Sequence, residues 1–136
     1  MVCIYCGSKT EIINSRHQSR TNSTWRRRKC LECGAITTTT EQTDYEKSWV
    51  VSDDKGRISH FNRDRLFISL YNSLGHRRTA ISDSNSLTAT VIAKLAKKPS
   101  EGHINRQDIV DTSLTCLKHF DKAAAVHYKA YYAKSN

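Results

Sequence analysis

The sequence predicts an α+β protein in two parts: a small β module pinned by four cysteines, then a β-hairpin on a four-helix bundle. Three observations predict it: two C-x2-C pairs, Cys3/Cys6 and Cys30/Cys33; a β-branched tract after the second pair; and helical spacing of apolar residues from Leu66 to Tyr132. Each pair presents two thiols on one short knuckle, and two pairs complete the tetrahedral shell of one Zn²⁺. Gly7 and Gly34 directly follow the pairs, where the knuckle must turn with φ > 0 to aim amide groups at the sulfurs. Four thiolate ligands leave no position for water or substrate, so the metal is expected to hold the fold rather than catalyse. Two disulfides, or a thiol redox pair, are the rival readings. Nothing else in the chain looks like a secreted framework, and redox C-x2-C pairs work singly.

Residues 7–29 form a hairpin-sized excursion between the knuckles, with Glu11-Ile12-Ile13 leaving the first as a short strand. That arrangement is a zinc ribbon. Thr37 to Thr40 is strand-prone and runs into the polar, acidic stretch Glu41 to Glu46. We place the boundary near 46, giving modules 1–46 and 47–136. In the second module Trp49-Val50-Val51 reads as a strand, Ser52 to Arg57 as a turn around Gly56, and Ile58 to Phe61 as the returning strand. Asn62 caps a helix carrying Leu66, Leu70 and Leu74, with Phe67 and Tyr71 widening the stripe and Gly75 ending it. A second helix runs from about Asn85 to Lys98, with Leu87, Val91 and Leu95 on one face and Pro99 after it. Ser100 to His103 reads as a loop. Asn105 with Asp108 approximates a capping box for a third helix bearing Ile109, Ser113, Cys116, Leu117 and Phe120. Asp121 caps a fourth, with Ala124, Tyr128, Tyr131 and Tyr132.

The chain has 136 residues, 22 of them Lys or Arg against 13 Asp or Glu, for a net charge of +9. Length allows two small domains and no large catalytic scaffold beside the metal module. The placement of charge says more than its size. Lys9, Arg16, Arg20, Arg26, Arg27, Arg28 and Lys29 face a single acid, Glu11, between residues 9 and 29. The expected partner is a polyanion. The run Trp25 to Lys29 abuts Cys30, so its backbone is anchored by the metal, which suits phosphate clamping and bidentate contact with guanine edges. An ordinary solvated face has the same composition. Trp25 can stack on a base or sugar, or cap the small ribbon core; both readings stay open.

The remaining signals exclude more than they propose. The six histidines are scattered without ligand spacing, and neither a P-loop nor a nucleophile–base pair is present, so no enzyme is expected. Cys116 reads as a reduced, buried thiol on a helix face. No apolar run reaches the length of a membrane span, and Met1-Val2-Cys3 enters the first knuckle directly, leaving no room for a signal peptide. A cytoplasmic protein is expected.

Taken in order, the motifs resemble one family, the bacterial NrdR-type repressors of ribonucleotide reductase genes, in which a zinc ribbon precedes an ATP-cone. The resemblance rests on Cys3-x2-Cys6-Gly7, Ser15-Arg16 after two isoleucines, Arg26-Arg27-Arg28-x-Cys30-Leu31-x-Cys33-Gly34, and Thr38-Thr39 before Glu41. In the second module it rests on Val50-Val51, Gly56, Phe61-x-Arg63-Asp64-Arg65-Leu66, Ile104 to Ile109, and Phe120-Asp121-Lys122-x-Ala124 leading to Val126 and Tyr128.

The resemblance implies a nucleoid-associated homo-oligomer that binds paired palindromic boxes in double-stranded promoter DNA, with a cone that senses ATP and dATP. Ser15, Arg16, Arg26, Arg27 and Arg28 match the DNA-contacting positions, flanked by Trp25 and Lys29. Val51, Asn62 and Arg65 fit the nucleotide contacts, and Lys55 and Arg57 stand at shifted positions for the phosphate-binding cations.

This chain is a divergent member. Trp25 replaces an arginine, and Ala35-Ile36-Thr37 replaces Arg-Arg-Phe, which bears on the box that is read. Asp53 and Asp54 occupy the usual basic slots of the turn, where a carboxylate repels a triphosphate unless Mg²⁺ bridges them. Arg106 stands where a small hydroxyl residue is usual, and His127 where arginine is common. The alternative is a generic zinc-ribbon nucleic-acid-binding module with a degenerate, purely structural cone.

Overall fold

The computed structural model describes residues 1–98 and 100–132, so Pro99, expected to end a helix, lies outside the described residues. The chain divides into two compact units, one of Met1–Thr43 and one from Asp44 onward. The expected boundary near 46 falls within a short helix, α1 (Tyr45–Ser48), which Asp44 caps by accepting from the Lys47 amide.

The first unit is an antiparallel sheet of β1 (Thr10–Gln18), β2 (Ser23–Cys30) and β3 (Ile36–Gln42), with β2 in the centre. β1 is longer than Glu11–Ile13, because pairing with β2 recruits the polar residues Asn14–Gln18 that propensity leaves out. A bulge between Ile12 and Asn14 resets the register. Asn22 closes the β1–β2 turn at φ 47°, a conformation asparagine tolerates. Within this unit only Cys3, Ser23 and Cys30 are buried. The sheet therefore has no apolar core, and the cysteine cluster stands in its place.

In the second unit, β4 (Val50–Ser52) lies between antiparallel β5 (Ile58–His60) and parallel β6 (His103–Asn105). β6 turns the expected hairpin into a three-stranded sheet, and a strand of three residues is too short for alternation to reveal. The turn before it carries Gly102 at φ 83°, where an added Cβ would sit 2.8 Å from the Ser48 carbonyl oxygen. Four helices follow the same core: α2 (Arg63–Ser73), α3 (Ala80–Ala96), α4 (Arg106–Phe120) and α5 (Lys122–Tyr131). Leu66, Leu70 and Leu74 meet Leu87, Val91 and Leu95 across it, with Leu117, Ala124 and Tyr128 closing the other side. Trp49, just before β4, packs edge-on to Phe61, just after β5, at 5.2 Å.

Several helix ends differ from expectation. α3 begins at Ala80 rather than near Asn85, because Thr79 and Asp83 bond side chain to side chain (2.6 Å) across its first turn. Asn105 precedes α4 but makes no side-chain cap; its side-chain Oδ1 instead accepts from Ser52 Oγ at 3.0 Å, tying β4 to β6. Asn62 and Asp121 cap as expected, accepting from the Arg65 and Ala124 amides. Phe120 and Tyr131, placed on the apolar stripes by spacing, are exposed instead. Phe120 underlies the Arg77 guanidinium at 4.6 Å, and Tyr131 lies 4.6 Å from the His127 ring. Cys116 is buried, and burial raises its thiol pKa, which keeps it protonated.

One polar cluster fastens the helices. Arg77 donates to Asp83 at 2.9 Å and to Asp121 at 3.1 Å, and His76 meets Asp121 at 2.8 Å. The Ala124 amide, followed by His76 and Arg77, lowers the Asp121 carboxyl to about 2. Among the described residues, no helix is long and apolar enough to cross a membrane.

Candidate metal centre, nucleic-acid interface and cavity

The four cysteine sulfurs lie within 4.8 Å of one another. Cys3 Sγ and Cys33 Sγ are 3.7 Å apart, and Cys6 Sγ and Cys30 Sγ 3.4 Å. A tetrahedron of Zn–S bonds of about 2.3 Å has edges of about 3.8 Å, so the cluster has the size of a zinc shell. The two knuckles are built alike. The Cys3 amide donates to the Ser8 carbonyl at 2.8 Å, and the Cys30 amide to the Ala35 carbonyl at 2.9 Å. Gly7 and Gly34 take φ of 75° and 71°, the left-handed turns expected after each pair.

The thiols repel a common ionisation. Hydrogen bonds from the Ser8 hydroxyl and amide, then from Cys30, bring Cys6 down to about 6. Cys33 is pushed up to about 12: the Ala35 amide lowers it, but Cys30, burial, Cys6 and Cys3 outweigh that. Four thiolates at these distances require a cation among them. The residues present fit Zn²⁺, with no ligand position left over.

Strand alternation divides the basic run of β2. Arg26 and Arg28 project from one face, Trp25, Arg27 and Lys29 from the other. On the first face the charges are engaged. Arg26 donates to Ser15 Oγ and Glu41 Oε2, both at 3.3 Å, and Arg28 donates to Thr39 Oγ1 at 3.1 Å. On the second, Arg16 stands directly opposite Trp25. Among the described residues, the side chains of Arg16, Arg27 and Lys29 make no hydrogen bond or ion pair, and their backbones pair within the sheet. The expected residues therefore do not form one clamp: Ser15, Arg26 and Arg28 share one surface, and Arg16, Trp25, Arg27 and Lys29 the other. Trp25 is half-buried among cations, so its stacking and capping readings both stand.

In the second unit a cavity of about 220 Å³ lies between the β4–β5 sheet and the first turns of α2 and α4. Of the residues expected at a nucleotide, Val51, Asn62 and Arg65 line it. Lys55 and Arg57 do not. Asp53 accounts for Arg57: its carboxylate accepts from Arg57 Nε at 2.6 Å and from the Arg57 and Lys55 amides at 3.0 and 2.9 Å. The Arg57 amide leads the interactions that lower the Asp53 pKa. Asp53 thus builds its own turn, and no acid lines the cavity among the described residues. Arg106, Tyr128 and Tyr132 join the lining. Helical spacing puts the tyrosines on a core stripe and marks Arg106 only as a departure, since spacing cannot show which residues of two helices meet at a sheet edge.

Comparison with known proteins agrees with the ribbon first. Residues 1–41 match the family model described as the N-terminal domain of transcriptional repressor NrdR-like proteins. Beyond the ribbon, the chain is similar to the transcriptional repressor NrdR of Staphylococcus aureus, in strains JH9, Newman and N315. Identity is 29% over 135 residues, covering 97% of this chain and 84% of each relative. These relatives bear the name of repressors, not of enzymes. The resemblance read from the motifs holds along the chain, with the divergence expected of it.

Proposed function

We propose that this chain, NrdR-like along its length, is a zinc-dependent transcriptional repressor whose ribbon binds double-stranded promoter DNA. Its genes are those of ribonucleotide reductase. One observation supports this above the rest: a metal-fixed sheet with no apolar core that presents Arg16, Arg27 and Lys29 without an acidic partner among the described residues. Such a surface is of little use to a fold and of direct use to a polyanion. Strand faces can read the major groove, where Arg27 can contact guanine while Arg16 and Lys29 meet phosphates. The second unit serves as the nucleotide-sensing and oligomerisation domain. ATP or dATP at the cavity beside β4 shifts the assembly in which paired ribbons meet paired boxes, and the coupling is reciprocal.

Equilibrium binding tests the proposal. Zinc-loaded protein is titrated on its own genome's reductase promoter duplex and on a scrambled duplex, with and without nucleotide. Preference for the promoter by about 10³-fold or more is the expected result. Equal binding to both would overturn it. A second reading, the generic nucleic-acid module with a purely structural cone, draws on the turn: Lys55 and Arg57 stand outside the cavity lining. On that reading neither a palindromic box nor a nucleotide changes the affinity.

A further inference from the structure

The cavity of the second unit is graded from apolar to cationic. Its floor is made of buried side chains, Phe61, Leu66, Val110 and Tyr128, and its rim carries the exposed Arg65 and Arg106. The two arginines come from the first turns of α2 and α4. Arg106 spends one nitrogen on the Tyr132 carbonyl at 3.2 Å; among the described residues its other donors make no further bond, and the Arg65 side chain makes none. At about 220 Å³ this open cavity falls below the ~300–1,000 Å³ of whole small-molecule sites, so it takes one end of a ligand.

We propose that Arg106, with Arg65, is the phosphate-binding element of this chain, replacing the turn cations Lys55 and Arg57. The ligand class is a nucleoside phosphate, its ring on the apolar floor and its phosphates at the arginine rim. The inference rests on the nucleotide reading above and assigns the specificity-determining residue within it. Asp53 makes the replacement necessary for Arg57, and Lys55 stands outside the cavity lining. By holding the Arg57 side chain and the turn amides, Asp53 withdraws them from any ligand. Arg106 makes it possible, because guanidinium forks bind phosphate bidentately and with geometric selectivity.

Calorimetric titration of the zinc-loaded full chain with ATP and with adenosine tests the assignment. Arg106→Ser is expected to weaken ATP at least tenfold and leave adenosine unchanged, with Arg106→Lys between. The double variant Lys55→Ala/Arg57→Ala is expected to bind ATP as the wild type does. Thermal melts of each variant establish that it is folded. Wild-type ATP affinity in Arg106→Ser, or loss of ATP binding in the double variant, would overturn the role of Arg106 while leaving the nucleotide reading intact. A wild-type protein that binds neither ATP nor adenosine at millimolar concentration would overturn both.

Discussion

Arg26 and Arg27, neighbours in β2, leave the ribbon sheet on opposite faces: Arg26 bonds Ser15 and Glu41, while Arg27 lies on the side of Arg16 and Lys29. One duplex docked on one face cannot engage both alike. Replacing Arg16 or Arg27 by Ala is expected to reduce the slope of log K against log salt by about 1 where a phosphate contact is lost. A bidentate guanine contact instead costs about 1–3 kcal/mol and relaxes specificity at one base pair. Arg26→Ala, which removes a side chain already paired with Glu41, is expected to change promoter binding less than either. The reverse ranking in fluorescence anisotropy would put the DNA on the Arg26 and Arg28 face.

The metal prediction follows from how little the ribbon buries. With only Cys3, Ser23 and Cys30 inside, the sheet has no apolar area to offset its chain entropy, so zinc–thiolate bonding supplies the folding free energy. Cys30→Ser is expected to abolish the dispersed amide signals of residues 1–43 and DNA binding together, while the second unit stays folded. An ordered, DNA-competent ribbon carrying less than one zinc per chain would refute the four-cysteine shell.

What the sequence made legible was what depends on spacing. The C-x2-C pairs, the glycines behind them, and the caps Asn62 and Asp121 are local patterns, and each appears in the structure where the spacing put it. Properties arising from a partner strand or helix were not legible. β6 exists because β4 offers it an edge, and Asn105 gives up its cap to bond Ser52. The acidic turn is the clearest instance. Asp53 reads as a repulsive neighbour for a triphosphate, yet its carboxylate is consumed by the Arg57 side chain and two amides of its own turn. The split of the arginine run was implicit in alternation, and only the pairing partners distinguish the engaged face from the open one.

Two glycines with similar positive φ should respond differently to alanine. Gly56 has φ 76° and open space around its missing Cβ, so Gly56→Ala bears only the left-handed cost of about 1–2 kcal/mol. Gly102 has φ 83° and a Ser48 carbonyl oxygen 2.8 Å from the Cβ position, so Gly102→Ala bears that cost and a backbone clash. The clash falls where the Gly102 carbonyl accepts from the Val50 amide at 2.8 Å, so the β4–β6 pairing is disturbed as well. Thermal melts should show the larger loss at Gly102. Equal losses would mean that the strand entry relaxes freely.

Acid should loosen the helices through Asp121. Its carboxyl titrates at about 2 in the folded chain, below the ordinary 3.8. A depressed folded pKa contributes stability that is fully present above the unfolded value and is lost as pH falls through the folded one. The window is therefore about pH 4 down to about pH 2. Asp121→Asn isolates the charge, because asparagine can still cap α5 through the Ala124 amide but cannot neutralise Arg77. Urea unfolding of both proteins between pH 7 and pH 2 should show the variant less stable at neutral pH. The gap should hold down to about pH 4 and close below it. A gap that persisted undiminished at pH 2 would mean that Asp121 acts only through shape and hydrogen bonding, and that its ionisation contributes nothing to holding His76 and Arg77 against the start of α5.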